Sequence, residues 1–353
     1  MAAPRPRVAI VLFNLGGPDR PEAIAPFLRN LFRDPAILSV PWPVRPLLAR
    51  RIARARLEPA RRSYAHLGGR SPLLRATEEQ GKLLVQALPE LEARAFVAMR
   101  YWHPLTEEAA HAVLEWDPDE VVLLPLYPQF STTTTGSSLR AWRDAAVAVG
   151  LAKETRTVCC WYDDASYVAS LAAIARRGLA EAQAELPPGV PLRMLFSAHG
   201  LPQRIVNAGD PYRMQVEATM AAVVAALGAE APPAQLAFQS RATPERWLEP
   251  ATDAEIRRAG AEGMALLVVP IAFVSEHSET LVELDIDYRA LAEQAGVPAF
   301  FRVPTPGCEP LFITALAGLV QRARARPTGI STLSGCASCG AGHRSCLKET
   351  RAG

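Results

Sequence analysis

The chain has 353 residues, of which 49% are hydrophobic and 21% charged, and its formal net charge is +2. This length suits two domains of ordinary size, and so small a net charge gives no preference for nucleic acid. No apolar run reaches the roughly 18–20 residues of a membrane-spanning helix, and no signal peptide precedes the first strand, so we expect a globular cytoplasmic protein.

Short apolar runs alternate with segments of helical periodicity along the whole chain. In the first half we predict strands at 8–12, 95–99 and 121–126, and helices at 21–32, 73–88, 106–116 and 138–149. In the second half we predict strands at 155–161, 192–196, 235–238 and 265–273, and helices at 165–184, 212–227, 253–260 and 309–324. This alternation is typical of an α/β protein with mostly parallel sheets and crossover helices.

Residues 38–75 form an arginine-rich segment that also contains Trp42. Between Pro35 and Thr77 there are nine arginines and one acid, Glu58. The arginines either face water on a surface helix or form a basic, apolar lip that binds an amphiphilic anion or touches a membrane surface. The residues leave both interpretations open, and they do not distinguish a monomer from a homodimer.

Polar side chains follow the predicted strands of the second half. His199 follows one strand, and Glu276, His277 and Glu279 follow another. Because sites in open parallel sheets form at the carboxyl edge of the strands, we expect these side chains to lie close together. A neutral imidazole at such an edge either binds a divalent metal or accepts a proton.

Three acids recur every four residues after His277: Glu279, Glu283 and Asp287. On a helix they share one face, where like charges repel by a few tenths of a kcal/mol per pair, so local stability does not explain them. They form either a solvated helix face or a path for a cation or proton.

Several stretches of the chain resemble, in order, those of one enzyme family. They are Leu12-Phe-Asn-Leu-Gly-Gly-Pro18, Tyr64–Pro72, Arg100-Tyr101 with His103-Pro104, Leu124–Gln129 with Thr134-Thr-Gly-Ser-Ser138, Phe196–Pro202, Phe238–Arg241 with Trp247, and Ser275–Tyr288. The family is the ferrochelatases, which insert ferrous iron into protoporphyrin IX at the end of haem synthesis and release two protons.

The resemblance implies two Rossmann-like domains, each a mostly parallel sheet flanked by helices, with the active site in the cleft between them. We expect residues 1–127 with 309–330 in the first domain, 128–308 in the second and 331–353 in a tail. A chelatase for another metal or tetrapyrrole, such as cobalt or coproporphyrin, and a haem or metal carrier without catalysis are the alternatives.

The resemblance also assigns roles to the polar residues. His199 and Glu279 become the central catalytic pair and the iron ligands, with the histidine taking pyrrole protons, binding iron, or both. Glu283 and Asp287 become an acidic conduit, and His277 and Glu276 become neighbours of the central pair.

Candidate porphyrin contacts lie mainly in the first half. For ring packing they are Leu15, Leu38, Tyr64, Tyr101 and Trp247, and for the propionates Arg56, Ser71 and Arg100, since an arginine fork matches a carboxylate. Relatives that use coproporphyrin tend to carry Tyr at the position of Leu15, so the apolar residue favours protoporphyrin.

Three of the six cysteines lie in the glycine- and serine-rich tail, at Cys336, Cys339 and Cys346. In a cytosolic chain such spacing favours a metal or cluster site over disulfides. A subset of ferrochelatases holds a 2Fe–2S cluster on three C-terminal cysteines and one internal cysteine, for which Cys159 or Cys160 is the candidate and Cys308 the fallback. A zinc site on the thiolates and a tail without metal are the alternatives.

Overall fold

A computed structural model describes residues 5–241, 243, 245–326 and 329–331. The strands are β1 (Arg7–Asn14), β2 (Glu92–Met99), β3 (Glu120–Pro125), β4 (Glu154–Val158), β5 (Leu192–His199), β6 (Ala234–Gln239), β7 (Ala265–Pro270), β8 (Phe300–Arg302) and β9 (Gly329–Ser331). The α-helices are α1 (Ile24–Arg33), α2 (Arg45–Ala65), α3 (Leu73–Gln86), α4 (Thr106–Trp116), α5 (Thr135–Val149), α6 (Ala165–Glu185), α7 (Gln203–Asn207), α8 (Tyr212–Leu227), α9 (Thr252–Ala261), α10 (Arg289–Gln294) and α11 (Pro310–Arg324). A π-helix spans Glu279–Tyr288. Among the described helices, none combines the length and the apolar character needed to cross a membrane.

The first compact unit runs to Cys160 and resumes at Leu316. Its sheet has the order β2-β1-β3-β4-β9, and every neighbouring pair is parallel. The sequence suggested a domain boundary after residue 127, but β4 pairs with β3 and therefore stays in this unit. Strand β1 lies between β2 and β3 and is buried from Val8 to Phe13, as expected of a strand covered on both faces.

Two apolar clusters pack in this unit. One combines Phe13 and Phe96 with Trp142 of α5, where Phe13 and Trp142 meet edge to face at 5.9 Å. The other joins Phe27 of α1 and Ala53 of α2 to residues that follow β2. Helix α2 carries most of the arginine-rich segment, and Ala49, Ala53 and the terminal Tyr64 are its buried residues.

The second compact unit runs from Trp161 to Ala315 and has a sheet of order β6-β5-β7-β8, again parallel throughout. Leu195, Val268 and Ile256 belong to its core. Two parallel sheets with helical crossovers confirm the predicted α/β class.

The carboxyl edge of the second sheet brings three chain segments together. His199 ends β5 and pairs in register with Gln239, which ends β6. Strand β7 was expected to continue to residue 273 but ends at Pro270, the last residue that pairs with β5. The chain then leaves the sheet and delivers the π-helix to the same edge.

Candidate active site

His199 is held at both its backbone and its ring. Its Nδ1 lies 2.9 Å from Oε2 of Glu279, and its carbonyl oxygen accepts a hydrogen bond of 3.0 Å from the hydroxyl of Tyr212. About a third of the side chain (36%) remains exposed. The Nδ1 atom is thus engaged by a carboxylate, and the rest of the ring is partly open to an incoming molecule.

A second imidazole lies on the same carboxylate. Nε2 of His277 is 3.7 Å from Oε2 of Glu279, and the His277 ring packs on Phe273 with centroids 4.6 Å apart. The buried Nδ1 of His277 makes no hydrogen bond to any residue that the structure describes. Glu279 therefore lies between two histidines, as a shared proton acceptor would.

Glu283 is anchored by several donors. It accepts hydrogen bonds from Nε2 of Gln239 (3.1 Å), the backbone N–H of Ser240 (3.0 Å), the Ser240 hydroxyl and the hydroxyl of Tyr288 (3.1 Å). Gln239 also donates to the carbonyl of Glu279 at 3.0 Å, so one amide connects both acids. Ser240 has a φ of 65°, a region that non-glycine residues rarely adopt, and this conformation aims its N–H at the carboxylate.

The charges of these groups act on one another. Burial alone would lower the pKa of His199, but the charge of Glu279, their hydrogen bond and the charge of Glu283 raise it above its ordinary value. Burial works against ionised Glu279 as well, yet His199 and His277 hold its pKa well below the usual range. Burial and the nearby charge of Glu279 raise the pKa of Glu283. The site thus contains a histidine that holds a proton more strongly than usual, an ionised carboxylate beside it, and a second carboxyl group that takes up a proton readily.

The remaining acids of the segment separate from this group. Glu276 turns to Arg302 (2.9 Å), to the backbone N–H of Thr305 (2.9 Å) and to the hydroxyl of Thr280 (2.5 Å). Asp287 is exposed, and no hydrogen bond or ion pair joins it to the rest of the described chain. The predicted four-residue stripe therefore gathers Glu279 and Glu283 beside His199, with Asp287 at the surface.

The sequence did not indicate Arg302, which contacts both Glu276 before the π-helix and Asp285 within it. The Arg302 guanidinium forms a fork on Asp285 (2.6 and 2.5 Å) and also reaches Glu276, which precedes the π-helix. Burial would lower the pKa of Arg302, but its hydrogen bond to Asp285 and the charge of Glu276 raise it. A lone arginine at the end of a short strand carries no signal in the sequence, because its partners lie 17 and 26 residues away.

In the described part of the chain, no set of three or more His, Cys, Asp or Glu side chains is arranged to hold a metal ion. His199 and Glu279 instead satisfy each other. Such a pair suits a reaction in which protons leave as a cation enters.

Comparison with known proteins identifies the family of this chain. The ferrochelatase family model matches residues 7–324. The chain belongs to the ferrochelatase family. It is 53% identical over 339 residues to a ferrochelatase of Phenylobacterium zucineum, covering 92% of this chain and 94% of the relative. It is 48% identical over 350 residues to a ferrochelatase of Caulobacter vibrioides, covering 96% and 97%.

A solved structure supports the fold alone. SirB from Bacillus subtilis with Fe3+ aligns with a TM-score of 0.52 at 9% identity, over 91% of this chain and 96% of that one. The sirohydrochlorin chelatase SirB in complex with cobalt aligns with the same TM-score at 10% identity, over 91% and 97%.

The residues that ferrochelatase resemblance assigned to the porphyrin occupy varied surroundings. Tyr101 is 1% exposed and donates its hydroxyl to Asp34 at 2.9 Å. Arg100 pairs with the same carboxylate at 2.8 Å and donates to Ser137 at 2.7 Å. Half-buried Leu15 and Leu38 and the buried Tyr64 belong to one apolar cluster. The contacts of all these side chains with a porphyrin stay predictions.

The other candidate porphyrin residues lie apart in the chain. Arg56 and Ser71 are half-buried, and the backbone N–H of Ser71 donates to the carbonyl of Pro18 at 2.7 Å. Trp247 is buried and donates its indole N–H to the carbonyl of Thr243 at 3.0 Å.

The cysteines expected in ferrochelatases with a cluster are described only in part. Cys159 and Cys160 are buried directly after β4, and Cys308 is exposed. The tail cysteines Cys336, Cys339 and Cys346 lie outside the described residues.

Proposed function

We propose that this chain catalyses the ferrochelatase reaction, a lyase reaction that inserts Fe(2+) into protoporphyrin IX with release of two protons. Membership of the family supports the activity. The observation that carries the assignment of the site is the His199–Glu279 pair at the carboxyl edge of the second sheet. It provides a base and a carboxylate in one place, which metal insertion requires.

His199 acts first as the base in this proposal. A neutral imidazole takes a pyrrole N–H proton, and the carboxylate of Glu279 stabilises the imidazolium that forms. Because the charge of Glu279 helps raise the pKa of His199, the proton is held more strongly than by an ordinary histidine. The same carboxylate and the ring nitrogens are the candidate ligands of the incoming iron.

Glu283 receives the proton next. Its raised pKa makes it a better proton acceptor than an exposed glutamate, and the Gln239 amide links it to the backbone of Glu279. Asp287, one turn further and exposed, forms the outlet to water. The two protons released per turnover leave by this route, while the two positive charges of the iron replace them in the macrocycle.

Porphyrin recognition in this proposal uses the candidate ring and propionate contacts named from the sequence. The guanidinium of Arg100 is already compensated by Asp34, so its contribution to binding propionates is a hydrogen bond and not a net charge. Leu15 supports protoporphyrin as the substrate because an apolar side chain at this position suits apolar ring substituents better than charged ones.

Purified full-length protein tests the reaction directly. Iron insertion into protoporphyrin is followed by the loss of porphyrin fluorescence, with Fe(2+) and Co(2+) compared and with coproporphyrin as the second porphyrin. We expect His199→Ala and Glu279→Gln to lose at least a hundredfold in kcat, consistent with the loss of a general base. Glu217→Gln, which breaks an exposed pair with Arg213, is the control.

Several outcomes would redirect the assignment. Faster insertion of cobalt than of iron favours a cobalt chelatase, and tight porphyrin binding without turnover favours a carrier. Unchanged turnover in both variants contradicts the roles given to His199 and Glu279.

A 2Fe–2S cluster on Cys336, Cys339, Cys346 and either Cys159 or Cys160 forms a second part of the proposal. Strand β9 lies beside β4 with Ser331 opposite Val158, so the chain enters its tail next to the two internal cysteines. Cys336 follows Ser331 by five residues, a reach of up to about 17 Å. This length of chain allows Cys336 and an internal cysteine to bind the same cluster.

The visible spectrum tests the cluster without reference to activity. Sulfur-to-iron charge-transfer bands that bleach on reduction are expected, together with their loss in Cys339→Ser. Loss of the bands in Cys308→Ser, with Cys159→Ser and Cys160→Ser unchanged, would instead assign the internal ligand to Cys308. A colourless protein that contains zinc would replace the cluster with a zinc site.

Peripheral contact with a membrane is the last part of the proposal. Trp42 and Leu47 expose about three quarters of their surface (76% and 75%) beside the arginines of α2. Apolar side chains next to cations suit the boundary of an anionic bilayer. We expect co-sedimentation with phosphatidylglycerol vesicles that weakens in Trp42→Ser, and equal sedimentation of both proteins would contradict this contact.

A further inference from the structure

A cavity of about 290 Å³ lies between α1 and α2, and its lining contains none of the residues assigned to the proposed reaction. Arg29 and Arg33 of α1 and Pro46, Ala49 and Arg50 of α2 line it. Its size is near the lower end of ligand pockets, which suits a small ionic group and not a flat macrocycle. The wall is apolar at Pro46 and Ala49 and cationic elsewhere.

Among the residues that the structure describes, no hydrogen bond or ion pair joins the three guanidinium groups to an acid. Helix α1 contains no Asp or Glu, and the first acid of α2 is Glu58, which pairs with Arg61 at 2.6 Å. Glu58 follows Arg50 by eight residues, about 12 Å along a helix, which is beyond the roughly 8 Å Debye length of physiological salt. The positive charge of the cavity is therefore uncompensated along both helices.

The acid that follows Arg33 in the sequence is committed elsewhere. Asp34 is buried, and its carboxylate accepts hydrogen bonds from Tyr101, Ser137 and the backbone N–H of Ala36, besides its ion pair with Arg100. Within the described residues, no hydrogen bond or ion pair involves the side chains of Arg29 or Arg33.

Arg45, at the start of α2, differs from the cavity arginines because its guanidinium has a structural role. The guanidinium of Arg45 donates to the carbonyl oxygens of Leu38 (3.2 Å) and Val40 (2.7 Å), and so fixes the loop before α2. The cavity arginines make no contact of this kind with the described chain. Arg29 and Arg33 are also four residues apart on α1, a spacing at which like charges repel. Helix stability does not explain their arrangement.

We propose that this cavity binds a phosphate-class oxyanion. Guanidinium forks match the geometry of phosphate oxygens, and three forks from two helices surround the cavity. The first turn of α2 adds the positive end of its helix dipole to the same wall. The oxyanion is either the headgroup of an anionic phospholipid or a free phosphate compound, because both present the same group.

Titration of the full-length protein with inorganic phosphate at low ionic strength, followed by calorimetry, tests the site. One saturable phosphate is expected. Arg33→Gln should weaken it about tenfold, the loss expected for one hydrogen bond between charged groups, and the variant with all three cavity arginines replaced by Gln should abolish it. Arg62→Gln, at an exposed position of α2 outside the cavity, is the matched control and should change binding less than twofold.

The result that overturns the proposal is either the absence of saturable binding or an equal loss in Arg62→Gln, which would indicate diffuse attraction by many arginines. Circular dichroism checks the folding of each variant, which we expect to be unchanged because the replaced side chains are exposed.

Vesicles then distinguish the two sources of the oxyanion. Recruitment to phosphatidylglycerol but not phosphatidylcholine vesicles that is lost in the triple variant and competed by phosphate identifies a lipid headgroup. Phosphate binding that depends on the cavity arginines, with vesicle recruitment unchanged in the triple variant, identifies a free phosphate compound. Both outcomes retain the site, and neither depends on iron insertion.

Discussion

Replacing Arg302 by methionine tests the contact that holds the π-helix in place. The Arg302 side chain is 10% exposed and contacts Asp285 twice and Glu276 once. Methionine keeps most of the apolar stem but removes every donor. Two carboxylates then face each other without a cation.

The expected loss follows from the burial of the three groups. Breaking a buried ion pair by removing one partner costs about 3–5 kcal/mol. Here Glu276 and Asp285 keep 28% and 27% of their side chains exposed, so water compensates part of the loss and about 2–3 kcal/mol remains. Arg213→Met is the control, because its pair with Glu217 is exposed and is worth at most about 0.5 kcal/mol.

Urea unfolding followed by circular dichroism measures the difference. A lower midpoint at unchanged slope indicates lost stability of the same folded state. We also expect kcat to fall about tenfold with little change in KM for porphyrin, since Glu276 and Thr280 flank Glu279. Equal midpoints for Arg302→Met and Arg213→Met would refute the reasoning.

Four further predictions concern three separate parts of the chain. Because the pKa of His199 is raised, we expect log kcat/KM to rise with pH at values above 6.5 as His199 loses its proton. Glu279→Gln should shift this rise to lower pH. An unshifted pH profile would contradict the interaction between His199 and Glu279. The same raised pKa stabilises the fold below pH 6.5, and this contribution is lost as the pH rises through the folded-state pKa, which thermal melts between pH 5 and 9 can follow. Asp34→Asn should cost about 2–4 kcal/mol in urea unfolding because its ion pair and hydrogen bonds are buried, and an unchanged midpoint would show that they are dispensable. In Gly178→Ala the new Cβ would lie 2.2 Å from Cγ1 of Val303, so we expect a loss of about 1–3 kcal/mol that Val303→Ala partly restores; additive losses would exclude the clash.

The fold was predictable because its signals are local. Apolar runs such as those of β1 and β7 are buried on both faces of a parallel sheet, and the helices between them keep their periodicity. The end of β7 was less predictable. The apolar run continues past Pro270 into the loop, where burial comes from other side chains, so hydrophobicity alone placed the end too late.

The centre of the site was predictable for the same reason. His199 ends a strand, and Glu279 follows the neighbouring one, so their proximity follows from the topology of the sheet. The shared face of the acids was predictable in part, since Glu283 lies beside Glu279 whereas Asp287 reaches solvent. A four-residue spacing shows that residues share one face of a helix. It does not show how many turns along that face belong to the site.

Long-range pairing was not predictable. Arg100 finds Asp34, 66 residues earlier, and the division between the two units follows the pairing of β4 with β3. Neither partner differs in type from the many other arginines and acids of the chain. These partners are identified only by the three-dimensional structure.

The position of β9 has a consequence for synthesis on the ribosome. Strand β1 is made first and lies inside its sheet, whereas β9, at the edge of that sheet, is made after residues Trp161–Ala315 of the second unit. One edge of β4 therefore has no partner strand while the 170 residues between Val158 and Gly329 are translated, a delay of roughly 10–30 s at about 5–20 residues per second. During that interval the nascent chain has an open strand edge at which another chain could pair, and the last described segment of the protein is the one that closes it.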